Sequence, residues 1–303
     1  MSEPRTDTER RADTERRSAA TRGLDLLATP ALVAALIAEG RRALDAAASQ
    51  TAAIAAAVDA IVERIARGGT LHYVGAGTSG RLGALDAAEW MPTFGVAPGT
   101  VRAHVAGGPA ALERAVEGAE DDALAGERLA RETFASGDAV IGISASGGAP
   151  FVLAALATAR ELRALTIALV NSEASPAAAT AERAIVLATG AEPIAGSTRM
   201  NAATAQKLVL NAISTATMVR LGRVYDNLMV DLVATNAKLR RRALGLVTTL
   251  VPADEGAAAA LIEAAHGSVK VAVVMGRRGV GADEARAILA RGGGSLRAAL
   301  EES

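Results

Sequence analysis

Five short runs of apolar residues, each about the length of a β-strand, set the strongest constraint on how this chain can fold. They are LHYVGAG, VRAHVAGG, DAVIGISAS, LTIALVN and AIVLATG, and segments of helical length separate most of them. Such alternation is typical of a parallel sheet covered by helices on both faces, whose buried strands are continuously apolar. We therefore predict an α/β fold, a three-layer sandwich with a mainly parallel five-stranded sheet.

Helical sequence flanks this region. The charged repeat DTERRADTERR predicts a partly disordered arm over residues 1 to about 22, and apolar residues at helical spacing predict one or two helices between Thr29 and Arg67. Met200 to Leu250 reads as long helical sequence, and a small module of three helices is expected after it. The expected domains are an N-terminal arm and helix, the sheet domain, and a small helical C-terminal module: residues 1–50, 51–250 and 251–303.

The composition removes several classes of function. The 303 residues include no cysteine and three histidines, which excludes disulfides, thiolate catalysis and cysteine-based metal sites. The net charge of −1 provides no general field for binding nucleic acid or an anionic membrane. The polar amino terminus and the lack of an apolar run of about 18 residues predict a cytoplasmic protein. We expect a small-molecule ligand, and neither metal nor cofactor.

The first candidate binding loop, GAGTSG, contains Gly77, Thr78 and Ser79 and joins an apolar run to a helical segment. Small residues at a helix start let backbone amides approach an anion, although a tight turn would use the same residues. The loop also fits the dinucleotide pattern G-x-G-x-x-G. A dinucleotide site needs a carboxylate about 20 residues later, and VRAHVAGG offers none.

Two further loops have similar chemistry. GISASGGAPF follows the third apolar run and carries Ser144, Ser146 and Gly147. GSTRMNAATAQK opens the long helical region, where helix capping by a hydroxyl is the alternative to ligand contact. Short hydroxyl donors at strand ends suit a phosphate group. The candidate ligand residues of this third loop are Ser197, Thr198, Arg199 and Lys207.

Several longer motifs resemble those of the N-acetylmuramic acid 6-phosphate etherases, a family with the sugar isomerase (SIS) fold. They are YVGAGTSGRLG, DAAEWMPTFG, AVEGAEDD, GSTRM followed by ATAQKLVLNAIST, and YDNLMVDLVATNAKLRRRA. They match in order and cover nearly the whole chain. The resemblance implies a homodimer with active sites near the subunit contact.

The family cleaves the ether between D-lactate and carbon 3 of N-acetylmuramate 6-phosphate, giving D-lactate and N-acetylglucosamine 6-phosphate. Ring opening exposes an aldehyde, a base removes the carbon 2 proton, lactate leaves, and water adds to the unsaturated aldehyde. The resemblance implies that Glu89 is the principal acid/base residue and that Glu120 assists lactate departure or water addition. It leaves open which of them abstracts the carbon 2 proton.

Spacing alone does not single out these two glutamates. Glu113, Glu117 and Glu120 recur at helical spacing, which is also typical of a solvated acidic face. Ser79 and Glu89 would lie about 15 Å apart along one continuous helix. Either that helix is interrupted or the pocket includes a second subunit, and the second alternative agrees with the family's dimers.

Four positions depart from the family pattern. Gly148 and Ala149 stand where Arg-Thr is common, and Asn201 and Ala203 stand where Lys and Gly are common. Losing two cations near a phosphate or a lactate carboxylate is expected to weaken binding or to shift substrate preference.

Two competing functions stay open. A sugar-phosphate isomerase of the same fold needs a similar site, but the motifs around Glu89 and Glu120 argue against it. A noncatalytic sugar-phosphate sensor is the second, since GISASGGAPF resembles the regulatory branch of the fold, which includes transcription regulators and the glucokinase regulatory protein. No helix-turn-helix with a basic face precedes the sheet region. The preferred prediction is a lyase that binds a sugar phosphate and contacts neither nucleic acid nor membrane.

Overall fold

The computed structural model describes residues 13–231 and 237–301, which form two compact units. The sheet unit contains the described residues up to Ala87 together with Gly99–Ile213. The helical unit contains Ala88–Pro98 and the described residues from Ser214 onward. The domain boundaries at residues 50 and 250 stay predictions.

A single parallel sheet organises the sheet unit and confirms the predicted fold class. The strand order is β2-β1-β3-β4-β5. Gly75 at the end of β1 pairs with Val105 of β2 and with Ile143 of β3, so the carboxyl ends of these strands are neighbours. The strands coincide with the five apolar runs: β1 Leu71–Gly75, β2 Val101–Val105, β3 Ala139–Ser144, β4 Leu165–Val170 and β5 Arg183–Val186.

Helices cover both faces of the sheet. On one face, Val74 and Val140 belong to an apolar cluster that includes Phe151 and Leu156 of α7. On the other face α4 packs closely, since a Cβ added at Gly83 would lie 2.9 Å from the Cβ of Tyr73. The helices up to the end of the sheet region are α1 Thr29–Glu39, α2 Arg41–Ser49, α3 Thr51–Ala66, α4 Gly77–Phe94, α5 Ala110–Glu113, α6 Ala123–Thr133, α7 Pro150–Glu161, α8 Pro176–Thr180 and α9 Asn201–Arg220.

The amino-terminal region differs from its prediction in two respects. Three helices stand where one or two were expected, because the chain breaks at Gly40 and Gln50. The described part of the arm is packed: Thr14 is fully buried, and its carbonyl accepts a hydrogen bond from the Gly196 amide at 3.0 Å. Residues 1–12 of the predicted arm lie outside the described residues.

The helical unit corrects the prediction of continuous helical sequence over Met200–Leu250. After α9 the chain forms an antiparallel hairpin of β6 and β7, and residues 232–236 lie outside the described part. In the part of the chain that the structure describes, four short helices, not three, follow α10. Buried Lys270 donates to the Asp231 carboxylate at 2.8 Å, and burial lowers the pKa of its ammonium. The elements are β6 Val224–Tyr225, β7 Leu228–Met229, α10 Ala237–Leu250, α11 Glu255–Ala264, α12 Val269–Arg278, α13 Ala282–Arg291 and α14 Leu296–Glu301.

A helix that crosses a bilayer needs about 20 predominantly apolar residues. Over residues 13–231 and 237–301, no single helix is long and apolar enough to do so. Two consecutive helix pairs reach that length and composition together, but they are bent by 59° and 110°. They are Thr29–Ser49 with Thr51–Ala66, and Ala237–Leu250 with Glu255–Ala264.

Candidate functional site

Among the described residues, no backbone acceptor is found for the first amides of α4. The first three residues of a helix, here Gly77, Thr78 and Ser79, have no partner one turn earlier for their N–H groups. Gly77 is exposed and has a φ of 53°, which favours glycine. Gly80 packs so closely against β1 that an added Cβ would lie 2.6 Å from the Gly75 carbonyl oxygen. The first turn of α4 can therefore receive an anion.

The loop after β3 presents two hydroxyl groups. Ser144 Oγ accepts a hydrogen bond from the Gly147 amide at 3.0 Å, and Ser146 Oγ accepts one from the Gly148 amide at 3.2 Å. Each hydroxyl keeps its own proton for donation to another acceptor. Gly147 has a φ of 72°, and an added Cβ would lie 1.8 Å from Ser175 Oγ, so only glycine fits there. This loop can supply short hydroxyl donors beside the end of β1.

The start of α9 is closed by a carboxylate of the same chain. Glu192 is fully buried, and its two oxygens accept from the amides of Asn201 at 2.8 Å and Ala202 at 2.9 Å. Burial raises the pKa of Glu192, and the two amide bonds oppose that shift. Glu192, and not Ser197 or Thr198, thus satisfies these amides.

The remaining candidates around α9 have different surroundings. Arg199 is exposed, and Lys207 Nζ donates to Asn211 Oδ1 one turn later on the helix. Asn201 is buried, and within the described residues its Nδ2 has no hydrogen-bond partner. Ala203 is buried as well. The loop before α9 therefore offers side chains at its surface, while its helix amides are occupied.

Two buried amide side chains that sequence reasoning missed connect these loops. Ser79 Oγ donates to Gln206 Oε1 at 2.9 Å, and Gln206 Nε2 donates to Asn171 Oδ1 at 2.8 Å. Gln206 is fully buried, and Asn171 is 1% exposed. A polar residue directly after an apolar strand, as Asn171 is after β4, was the available sequence signal. The Ser79 hydroxyl is therefore tied to α9 and to the end of β4.

The two predicted catalytic glutamates are both exposed. Glu89 lies on α4, which runs without interruption from Gly77 to Phe94, so the alternative of a broken helix is wrong. Glu120 lies in a single 3₁₀ turn, Ala119–Asp121, and α5 already ends at Glu113. The alternative of one acidic helical face over Glu113, Glu117 and Glu120 is therefore wrong as well.

A histidine pair, with His72 buried and His104 half-buried, lies on β1 and β2 against Phe134 at the end of α6. His72 Nδ1 and His104 Nε2 are 3.0 Å apart, and His72 Nε2 is 3.3 Å from Asp138 Oδ2. Burial lowers the pKa of both imidazoles, to about 4 for His104, where the neighbouring charges of His72 and Arg102 act in the same direction. His104 lines a cleft of about 730 Å³ beside β2. Both rings are therefore neutral at pH 7.

Comparisons with known proteins give consistent results. The family model of the SIS domain matches residues 115–216, and that of the glucokinase regulatory protein N-terminal SIS domain matches residues 53–160. N-acetylmuramic acid 6-phosphate etherases from Deinococcus radiodurans and Rubrobacter xylanophilus are 48% and 49% identical to this chain over 280 residues, which is 92% of the chain and 92% of each relative.

A solved structure agrees at the level of the fold. A phosphoheptose isomerase from Francisella tularensis is 17% identical and superimposes with a TM-score of 0.51, covering 64% of this chain and 100% of the isomerase. At this identity the likeness concerns the fold alone. The parallel sheet with its flanking helices is thus an SIS fold.

Proposed function

The chain belongs to the N-acetylmuramic acid 6-phosphate etherase family, and we propose that it acts through Glu89 and Glu120 on a substrate whose phosphate is held by the loops after β1 and β3. It is a carbon–oxygen lyase that cleaves the D-lactyl ether of N-acetylmuramate 6-phosphate. Identity of 48% over 92% of the chain carries this conclusion. The relatives at this identity favour an etherase over the isomerase and the sensor.

The phosphate site that we propose combines backbone and hydroxyl donors. The open amides of Gly77 and Thr78 and the hydroxyl protons of Ser144 and Ser146 come from neighbouring strand ends. A phosphate dianion has only acceptor oxygens, which such donors match. Outside these donors, we propose that Gly147, Ser197, Thr198, Arg199 and Lys207 contact the sugar phosphate.

In the proposed mechanism the two carboxyl groups move protons at different steps. Glu89 is the principal acid/base residue, and one of the two glutamates removes the carbon 2 proton of the open-chain aldehyde. The carbon 3–oxygen bond then breaks, and Glu120 assists by protonating the departing lactate oxygen. Water finally adds its hydroxyl group to carbon 3 and a proton to carbon 2. Exposure of both side chains keeps them accessible to substrate and water.

Release of D-lactate from N-acetylmuramate 6-phosphate by the purified protein tests this function. Glu89→Gln and Glu120→Gln should each lower kcat at least about 100-fold, because each substitution removes a proton-transfer group. Glu113→Gln is the matched control, since it changes an exposed carboxylate of the same region and should retain activity. A folded wild type that binds the sugar phosphate but releases no lactate would favour the sensor.

A homodimer in the cytoplasm completes the proposal. Helix α1 buries none of its residues although it is largely apolar, and Val33 and Ile37 are exposed. A second copy of the chain would cover such a surface. The cytoplasm is proposed because a sugar phosphate is charged and does not cross a bilayer unaided.

Two measurements test the dimer. Light scattering should give twice the chain mass for the wild type and a smaller mass for Ile37→Asp. Mixed refolding of Glu89→Gln with Glu120→Gln should restore about a quarter of wild-type activity if the two glutamates of one site come from different subunits. No recovery would assign both to one subunit, and a wild-type monomer would refute the dimer.

A further inference from the structure

The chain of hydrogen bonds through Ser79, Gln206 and Asn171 has a fixed direction. Asn171 Nδ2 lies 3.2 Å from the carbonyl oxygen of Leu187 and 3.5 Å from that of Ala202. A carbonyl oxygen only accepts hydrogen bonds, so the amide nitrogen of Asn171 must face these two groups.

The orientation of Asn171 determines the orientation of the next two groups. Its Oδ1 faces Gln206, which must present Nε2 at 2.8 Å. Gln206 consequently turns Oε1 toward Ser79, and the Ser79 hydroxyl must be the donor at 2.9 Å. If the hydrogen bonds ran in the opposite direction, Asn171 Oδ1 would face the carbonyl oxygens of Leu187 and Ala202 in a buried site. Two acceptors facing each other there would be costly.

The direction separates Ser79 from the two serines of the loop after β3. The Ser79 hydroxyl proton is committed to Gln206, and only its lone pairs remain. The hydroxyls of Ser144 and Ser146 accept from backbone amides and keep their protons. Since a phosphate dianion offers only acceptors, Ser144 and Ser146 suit it and Ser79 does not.

We propose that Ser79 accepts a hydrogen bond from a donor group of the amino sugar, a hydroxyl or the amide N–H, and that Gln206 and Asn171 are positioning residues for it. This inference rests on the proposed function, because it concerns the same site. Ser79 is half-buried and therefore accessible, whereas Gln206 and Asn171 act only through it. Ser79 would thus discriminate among sugars, and the phosphate would be held independently of it.

Calorimetric binding of two probes, inorganic phosphate and N-acetylglucosamine 6-phosphate, tests the proposal. Ser79→Ala should weaken sugar-phosphate binding about tenfold and leave phosphate binding unchanged. Ser144→Ala is the matched comparison, and it should weaken the binding of both probes. Equal weakening of phosphate binding in the two variants would overturn the proposal. Binding needs no turnover, so this result stands apart from the lactate assay.

Gln206→Met tests the positioning role, because methionine has a similar shape and no amide. It should raise KM more than it lowers kcat. Like Ser79→Ala, it should weaken binding of the sugar phosphate and leave binding of inorganic phosphate unchanged. The double variant should then be no weaker than Ser79→Ala alone. Additive losses would refute the coupling, and Ser79→Ala still tests the acceptor role if Gln206→Met does not fold.

Discussion

The starts of α4 and α9 resemble each other in sequence, and the structure uses them in opposite ways. Each has a glycine and two hydroxyl-bearing residues beside it: in GAGTSG the hydroxyls lie in the first turn of α4, and in GSTRM they precede α9. At α4 the first amides are left open at an exposed glycine. At α9 the buried carboxylate of Glu192 occupies the amides of Asn201 and Ala202. One helix start is free to bind a ligand anion, and the other already holds an anion of the protein.

This difference assigns different roles to similar motifs. A helix start whose amides are filled internally contributes to stability, because a buried carboxylate accepting two amides satisfies groups that would otherwise lack partners. An open start leaves that interaction for the ligand. Changes at the closed start should therefore affect unfolding, and changes at the open start should affect substrate binding.

The largest effect is expected from removing the Glu192 carboxylate at the start of α9. Glu192→Ala leaves two buried amides without acceptors, so the free energy of unfolding should fall by about 2–4 kcal/mol. Urea denaturation measures it. Glu182→Ala, which removes an exposed carboxylate, should change stability by less than about 0.5 kcal/mol. If both variants behave alike, the closed start has no stabilising role.

A second expected effect concerns the histidine pair, whose His72 is buried and bonded to His104 and Asp138 within the protein. Because folding lowers the pKa of His72 and His104, their contribution to stability is present above pH 6.5 and is lost as the pH falls toward 4. The free energy of unfolding should therefore fall between pH 7 and pH 4, and His104→Gln should make that fall smaller by about 1–3 kcal/mol. Denaturation between pH 7 and pH 4 measures it. The exposed His266→Gln should follow the wild type, and a His104→Gln curve that does the same would contradict the prediction.

The smallest effect is expected at the open start. Gly77→Ala places a methyl group at a positive φ and should cost about 1 kcal/mol of stability. It also adds bulk where the anion approaches, so KM for the sugar phosphate should rise. Gly68→Ala is matched, since Gly68 has a φ of 87° and open space around its Cβ position. Gly68→Ala should lose similar stability with an unchanged KM. Equal KM values for the two variants would show that Gly77 is not part of the site.

The central strands β1, β3 and β4 could be predicted from sequence because burial on both faces makes them continuously apolar. The hairpin could not, since β6 and β7 have two residues each inside a segment rich in helix formers. The helix breaks at Gly40 and Gln50 were missed because the apolar pattern continues across them. The local apolar pattern of the sequence thus predicted the elements that bury many residues, and it missed the short connections.

The candidate site divides in a similar way. Glycines and hydroxyls near strand ends mark the loops after β1 and β3 directly in the sequence. The role of Glu192 could not be predicted, because it precedes α9 by nine residues and reaches the helix only through the folded loop. Gln206 and Asn171 are 35 residues apart, and only the tertiary structure joins them.

Trp90 follows Glu89 directly on α4, is 1% exposed, and is the only tryptophan of the chain. Its indole is therefore the source of all intrinsic tryptophan emission of the protein. A shift of the emission maximum on adding ligand or denaturant reports on a single helical turn, the one that carries the proposed acid/base residue. The protein contains its own optical probe at that position, and no label is needed to follow this turn in real time.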